Sequence, residues 1–123
     1  PLLETASGLA YLAFCPEKER NELIQLLARQ QGREGEIARD TKALNNLLLR
    51  TQRKGFGENY QDWDLEQRIA SIAIPIRSGD EVLACLNLVY IAEAMTIDDA
   101  AAKYLPAMNR TRAKIEEALT NPD

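Results

Sequence analysis

An α+β domain is predicted by three features of the 123-residue chain. Helix-period apolar stripes occupy the stretch from Thr5 to Gly55. The pattern then switches to strand patterning between Arg68 and Tyr90, and a helical stripe returns from Thr96 onward. Helices grouped on either side of a hairpin, rather than alternating with single strands, argue against a doubly wound α/β sheet.

Thr5 or Ser7 caps a first helix that runs to Cys15, with Leu9, Ala10, Leu12 and Ala13 on one face. Pro16 ends it and opens a second helix, because a missing N–H is harmless at a helix start. Glu17 and Glu19 suit the positive end of that helix, and Leu23, Ile24, Leu26 and Leu27 form its stripe to about Arg29. Gln30–Arg39 is polar, contains Gly32 and Gly35, and reads as a loop. Asp40 caps a third helix carrying Leu44, Leu47, Leu48 and Thr51, which Gly55 terminates. Arg68–Ile76 and Glu81–Tyr90 read as strands of a hairpin closed at Ser78–Gly79, and Phe56–Tyr60 as a third, shorter strand. Thr96 and Asp99 cap a last helix, and Pro106 inside it predicts a kink or break. Three strands are few for so much helix, so the sheet is expected to take further strands from sequence preceding Pro1.

The composition bounds the function. With 46% hydrophobic and 28% charged residues, 6 glycines and 5 prolines, the chain is one ordinary globular domain, residues 1–123. Net charge is −4, which speaks against a nucleic-acid-binding surface. Histidine is absent, which removes His-based triads, His general bases and HExxH zinc sites together. Two cysteines make no disulfide framework, so a reducing, cytoplasmic setting is expected. No apolar run nears the roughly 20 residues of a membrane helix. A start at Pro1, with neither initiator Met nor targeting segment, reads as a piece of a longer protein.

Few residues offer chemistry. Cys15, Cys85, Ser7 and Ser71 are the nucleophiles, and none has a paired base in the sequence. An enzyme acting through Cys85 or Ser71 is therefore a remote alternative, and both thiols read as small core residues. Asp62-Trp63-Asp64-Leu65-Glu66 lacks the spacing of a calcium loop and reads as a solvated segment anchored by Trp63. Gly55-Phe56-Gly57 follows a helix instead of a strand, so it is no dinucleotide fingerprint. No metal and no cofactor is expected. Asn87, set between Leu86 and Leu88, reads as a buried amide in need of partners. A hairpin closed at Ser78–Gly79 places it nearly opposite Ser71 on one face. Small polar groups in an apolar wall suit either mutual hydrogen bonding or a small acid or phenol.

The run Pro1-Leu2-Leu3-Glu4-Thr5-Ala6-Ser7-Gly8-Leu9-Ala10-Tyr11-Leu12-Ala13-Phe14 resembles the signature of the effector-binding domain of IclR-family bacterial transcription regulators. The later segments Arg53–Phe56, Ile69–Ile76 and Val82–Leu88 agree with it in order. Within that family the chain is similar to regulators of aromatic-acid catabolism. The resemblance implies a GAF-like antiparallel sheet flanked by helices, here without its N-terminal strands. It also implies a winged helix-turn-helix outside this chain that alone contacts operator DNA, a homodimer or tetramer, and a small carboxylate effector. Carried over by motif, the effector site comprises Ala6, Ser7, Asn59, Ser71, Asn87 and Val89, with Tyr60 and Trp63 nearby to suit an aromatic ring. Asn59 stands where many members have an aspartate, and Leu9 where they have a lysine, so neither contact transfers directly. A dimerisation module that has lost its ligand is the other reading.

Overall fold

The computed structural model describes residues 2–59 and 68–120. Helix α1, Ala6–Phe14, starts at Thr5, whose side chain accepts from the Gly8 N–H at 3.0 Å. Its far end is held just as firmly. Arg20 donates to the carbonyls of Leu12, Ala13 and Cys15 at 2.8, 3.0 and 2.8 Å, and Gln52 donates to Ala13 at 2.8 Å. Helix α2, Glu17–Ala28, follows with Pro16 at its N-cap.

The segment expected to be a loop holds a further helix, α3, Arg33–Arg39. Gly35 misleads there. It is not a breaker but a point of close packing, since a Cβ would collide with the Gln30 carbonyl oxygen. Arg39 locks the turn by donating to the carbonyls of Ala28 and Gln30 at 2.8 and 3.0 Å. Helix α4, Thr41–Lys54, is capped by Asp40 and ends at Gly55 in the left-handed region, as its sequence implies. One core cluster gathers α1 through α4 around Leu3, Leu9, Leu12, Leu27, Leu44 and Leu48.

The sheet has order β1-β2-β3, with β1 Gly57–Glu58, β2 Ile69–Ser78 and β3 Glu81–Ile91, all antiparallel. The turn is Gly79–Asp80, one residue later than expected, with Gly79 at φ 60°. Leu83 is left without a partner between the pairs Ile76↔Ala84 and Arg77↔Val82, forming a bulge. These two shifts move the register, so Ser71 pairs with Val89 and Asn87 with Ala73. Ser71 and Asn87 share a face but lie one rung apart, not opposite. Strand β1 is only two residues long, for reasons at both ends. The Asn59 N–H bonds the Ser71 carbonyl, so alternate β2 residues from Ser71 through Pro75 turn their polar groups toward β1. Pro75 has no N–H to give there, and past Glu58 a side chain takes over the next rung, as described below.

After the 3₁₀ turn Ala92–Ala94 comes helix α5, Ile97–Thr120, which starts at the cap formed by Thr96 Oγ1 accepting from the Asp99 N–H. It runs through exposed Pro106 as one continuous helix, so the expected break does not occur. Helix α5 covers one face of the sheet through Ile72, Ile74, Leu86, Leu88, Ala101 and Met108. Helix α1 covers the other through Ala6, Ala10, Ala73 and Cys85.

Candidate functional site

The face under α1 can be read in rows across the strands. Gly57, Ala73 and Asn87 form one row; Asn59, Ser71 and Val89 form the next, followed by Ile69 and Ile91. The first turn of α1 sits on the Gly57 row. A Cβ on Gly57 would collide with the Ala6 carbonyl oxygen and come within 2.9 Å of the Ala10 nitrogen. The Cys85 thiol donates to the Ser7 carbonyl at 3.4 Å, which fixes the same turn from the β3 side. From there the helix runs toward the hairpin turn, where Phe14 lies under the Arg77 guanidinium, 4.6 Å from ring centroid to carbon. The N-terminus of α1 therefore points the other way, toward the row of Asn59, Ser71 and Val89.

That direction decides what the site offers. The N–H groups of Ala6 and Ser7 have no acceptor within the helix and lie at its positive end. Asn59 and Ser71 are buried, at 7% and 9% exposure, whereas Val89 is 56% exposed. Asn87 is exposed as well, correcting its reading as a buried amide. The reason is topological: β3 is the outer strand among the described residues. Ala6, Ser7, Asn59, Ser71, Asn87 and Val89 are thus brought to one ledge, while Tyr60, Trp63 and the acidic run 62–66 lie outside the described residues. No carboxylate or ammonium belongs to the six. Burial pushes the Cys85 thiol above its ordinary pKa, so it stands there neutral. Burial does the same to Cys15, against the opposing pull of Arg20, and both cysteines are free thiols. A thiol held neutral is a weak nucleophile.

Sequence reasoning missed Gly57 and Cys85 as parts of this site. A glycine opening a short strand is itself a sign of close backbone approach, and that signal was available.

The opposite face has its own cavity of about 460 Å³, between Ala70, Tyr90, Met95 and the start of α5. Glu93 and Asp99 border it, and the Tyr90 hydroxyl is buried without a partner among the described residues. Burial, and then the charge of Glu58, raise the Tyr90 pKa. Carboxylates at its rim make this cavity a poor receptor for an anion. No cluster of metal-ligating side chains occurs among the described residues, and no helix among them is long and apolar enough to cross a membrane.

Residues 1–117 match the family of the bacterial transcriptional regulator IclR C-terminal domain. The chain belongs to this family. Its fold is shared with the IclR protein of Thermotoga maritima, at a TM-score of 0.77 and 22% identity over 96% of this chain and 47% of that one. The C-terminal domain of Escherichia coli KdgR aligns at 0.73 and 20% identity, over 95% of this chain and 70% of that one. The inducer-binding domain of Acinetobacter PobR, solved with 3-hydroxybenzoic acid as a double mutant, aligns at 0.72 and 16% identity, covering 94% and 65%. This IclR-type chain spans about half the length of the Thermotoga regulator and of a Rhodococcus transcriptional regulator that it matches.

Proposed function

We propose that this domain is the effector-sensing part of an IclR-type regulator and binds a small aromatic carboxylate on the α1 ledge. The observation that carries the reading is the N-terminus of α1 directed toward a row of neutral polar and apolar side chains with no acidic residue among them. Unpaired helix N–H groups receive a carboxylate there. The ring lies across Ser71 and Val89, with Asn87 beside it. Two things favour an aromatic acid: the PobR domain was solved with one, and Leu12–Glu17 and Cys85–Tyr90 are similar to the activator of the 3-(3-hydroxyphenyl)propionate degradation operon.

The effector acts by differential affinity for two conformations of a dimer or tetramer, which is all the free energy that a ligand contributes to a switch. Operator DNA is contacted by a winged helix-turn-helix outside this chain, in the cytoplasm. Residues 1–123, with net charge −4, bind no operator by themselves. No metal or cofactor takes part, and no catalysis occurs.

Thermal unfolding with a panel of hydroxybenzoates and hydroxyphenylpropionates, and with their methyl esters, tests the reading. A binding acid at 100 times its Kd adds about 2.7 kcal/mol of stability. Its ester should add far less, because a charge-assisted hydrogen bond is about twice as strong as a neutral one. Acids and esters that stabilise equally would move the carboxylate away from α1. No response to any acid would leave the ligand-free dimerisation module as the better description.

A further inference from the structure

Asn59 makes an unusual set of bonds for a residue in a binding ledge. Its side-chain Oδ1 accepts from the Ser71 N–H at 2.6 Å, and its Nδ2 donates to the Ile69 carbonyl at 3.0 Å. Its own N–H bonds the Ser71 carbonyl at 3.2 Å. In a regular antiparallel pair the backbone carbonyl of residue 59 would receive the Ser71 N–H. Here the side chain receives it, so the ladder's last rung is built from an amide group. The second bond then reaches two residues further along β2, to the point where this strand starts.

We infer that Asn59 is a positioning residue that holds the floor of the ledge, Ser71 and Ile69, by bridging their backbones, and that it is not a ligand contact. The inference rests on the effector-site reading above. Only an amide of this length does both jobs. Aspartate retains an acceptor for Ser71 but sets a carboxylate oxygen against the Ile69 carbonyl. Alanine retains neither bond, and glutamine is one methylene too long. The Oδ1 and Nδ2 ends of the amide are each engaged by main chain at a buried position, so specificity for the ring falls to Ser71, Asn87 and Val89.

Two measurements on the Asn59→Ala and Asn59→Asp chains test this. The first is amide hydrogen exchange at Ser71, which needs no ligand. Asn59→Ala should speed it at least tenfold while Ala73, paired with Gly57, exchanges as in the wild type, and Asn59→Asp should keep much of the Ser71 protection. Unchanged Ser71 protection in Asn59→Ala overturns the inference. The second is the rank order of affinity for benzoate and its 2-, 3- and 4-hydroxy derivatives. A positioning residue lowers all of them by a common factor in Asn59→Ala. A selective loss for one isomer makes Asn59 a ligand contact and overturns the inference. If the wild-type chain binds none of these acids, the effector reading fails, and Ser71 exchange alone still decides the role of Asn59.

Discussion

Gly57→Ala tests how α1 is seated on the sheet. The added methyl would lie 2.9 Å from the Ala10 nitrogen and 3.2 Å from the Ala6 carbonyl carbon, and would overlap the Ala6 carbonyl oxygen. All three are backbone atoms of one helix turn, so no flexible side chain can swing aside. Relief requires the first turn of α1 to lift by about 1 Å, the difference between overlap and ordinary contact. Lifting loosens Ala6, Ala10 and Ala73, which are 1%, 0% and 0% exposed. Overpacking a tight site costs about 1–3 kcal/mol, against a gain of about 0.4–1 kcal/mol from a stiffer unfolded chain. With rigid neighbours the upper end applies, giving a net loss of about 2–2.5 kcal/mol. Gly55→Ala is the control. Gly55 has φ 82° and nothing within 4 Å of an added Cβ, so only left-handed strain applies, about 1 kcal/mol. Urea unfolding at pH 7 should show a lower midpoint for Gly57→Ala than for Gly55→Ala at unchanged slope. A Gly57→Ala chain as stable as Gly55→Ala would show that α1 is not seated on β1 as described.

Arg20→Ala should cost about 2–3 kcal/mol in the same assay, since three carbonyls at the end of α1 lose a charged donor. Arg20→Lys should restore less than half of it, because one ammonium cannot span the three. A loss below about 0.5 kcal/mol would refute the capping role. The Tyr11 hydroxyl bonds Glu19, and chiefly for that reason its pKa is pushed up from 10.0 to about 12. A pKa raised on folding contributes stability that is complete below pH 10 and disappears as pH climbs toward 12. Tyr11→Phe should therefore flatten part of the alkaline stability loss between pH 10 and 12, Tyr90 supplying more of it; an unchanged limb would count against the bond. Asn87→Leu should weaken binding of a recognised acid by about 1–3 kcal/mol in calorimetry. Its melting temperature should stay unchanged because the residue is exposed; a large stability loss with intact affinity would make Asn87 structural.

Much of the fold is legible in the chain because it is written in local signals. Thr5, Asp40 and Thr96 mark helix starts by the caps they form, and Gly55 marks a stop by its left-handed backbone. Helix α3 escapes because its seven residues are too short for a stripe and because Gly35 serves packing rather than turning. The site is legible as a face, since odd-numbered residues of β2 and β3 alternate to the same side. Its rungs are not, because the Leu83 bulge and the Gly79–Asp80 turn reset the register without any strong mark in the sequence. Asn59 is legible only as a polar residue in the right place. Its partners are main-chain atoms, which carry no letter of their own. The burial of Asn87 was overstated because alternation tells which way a side chain points, not whether anything covers it.

The unpaired Leu83 sets a limit on how this hairpin can change over evolutionary time. Val82 joins the core beside Leu9 and Leu12, on the α1 side, although Ala84, Leu86 and Leu88 align with the α5 side. The extra residue is what reverses the sidedness between them. Deleting Leu83 itself would restore regular pairing, with Val82 still opposite Arg77 and still on the α1 side. A residue added or lost between Ala84 and Leu88 would instead turn every side chain on one side of the change to the opposite face of the sheet. The bulge is thus the one place along β3 where this hairpin can shed a residue without exchanging its faces.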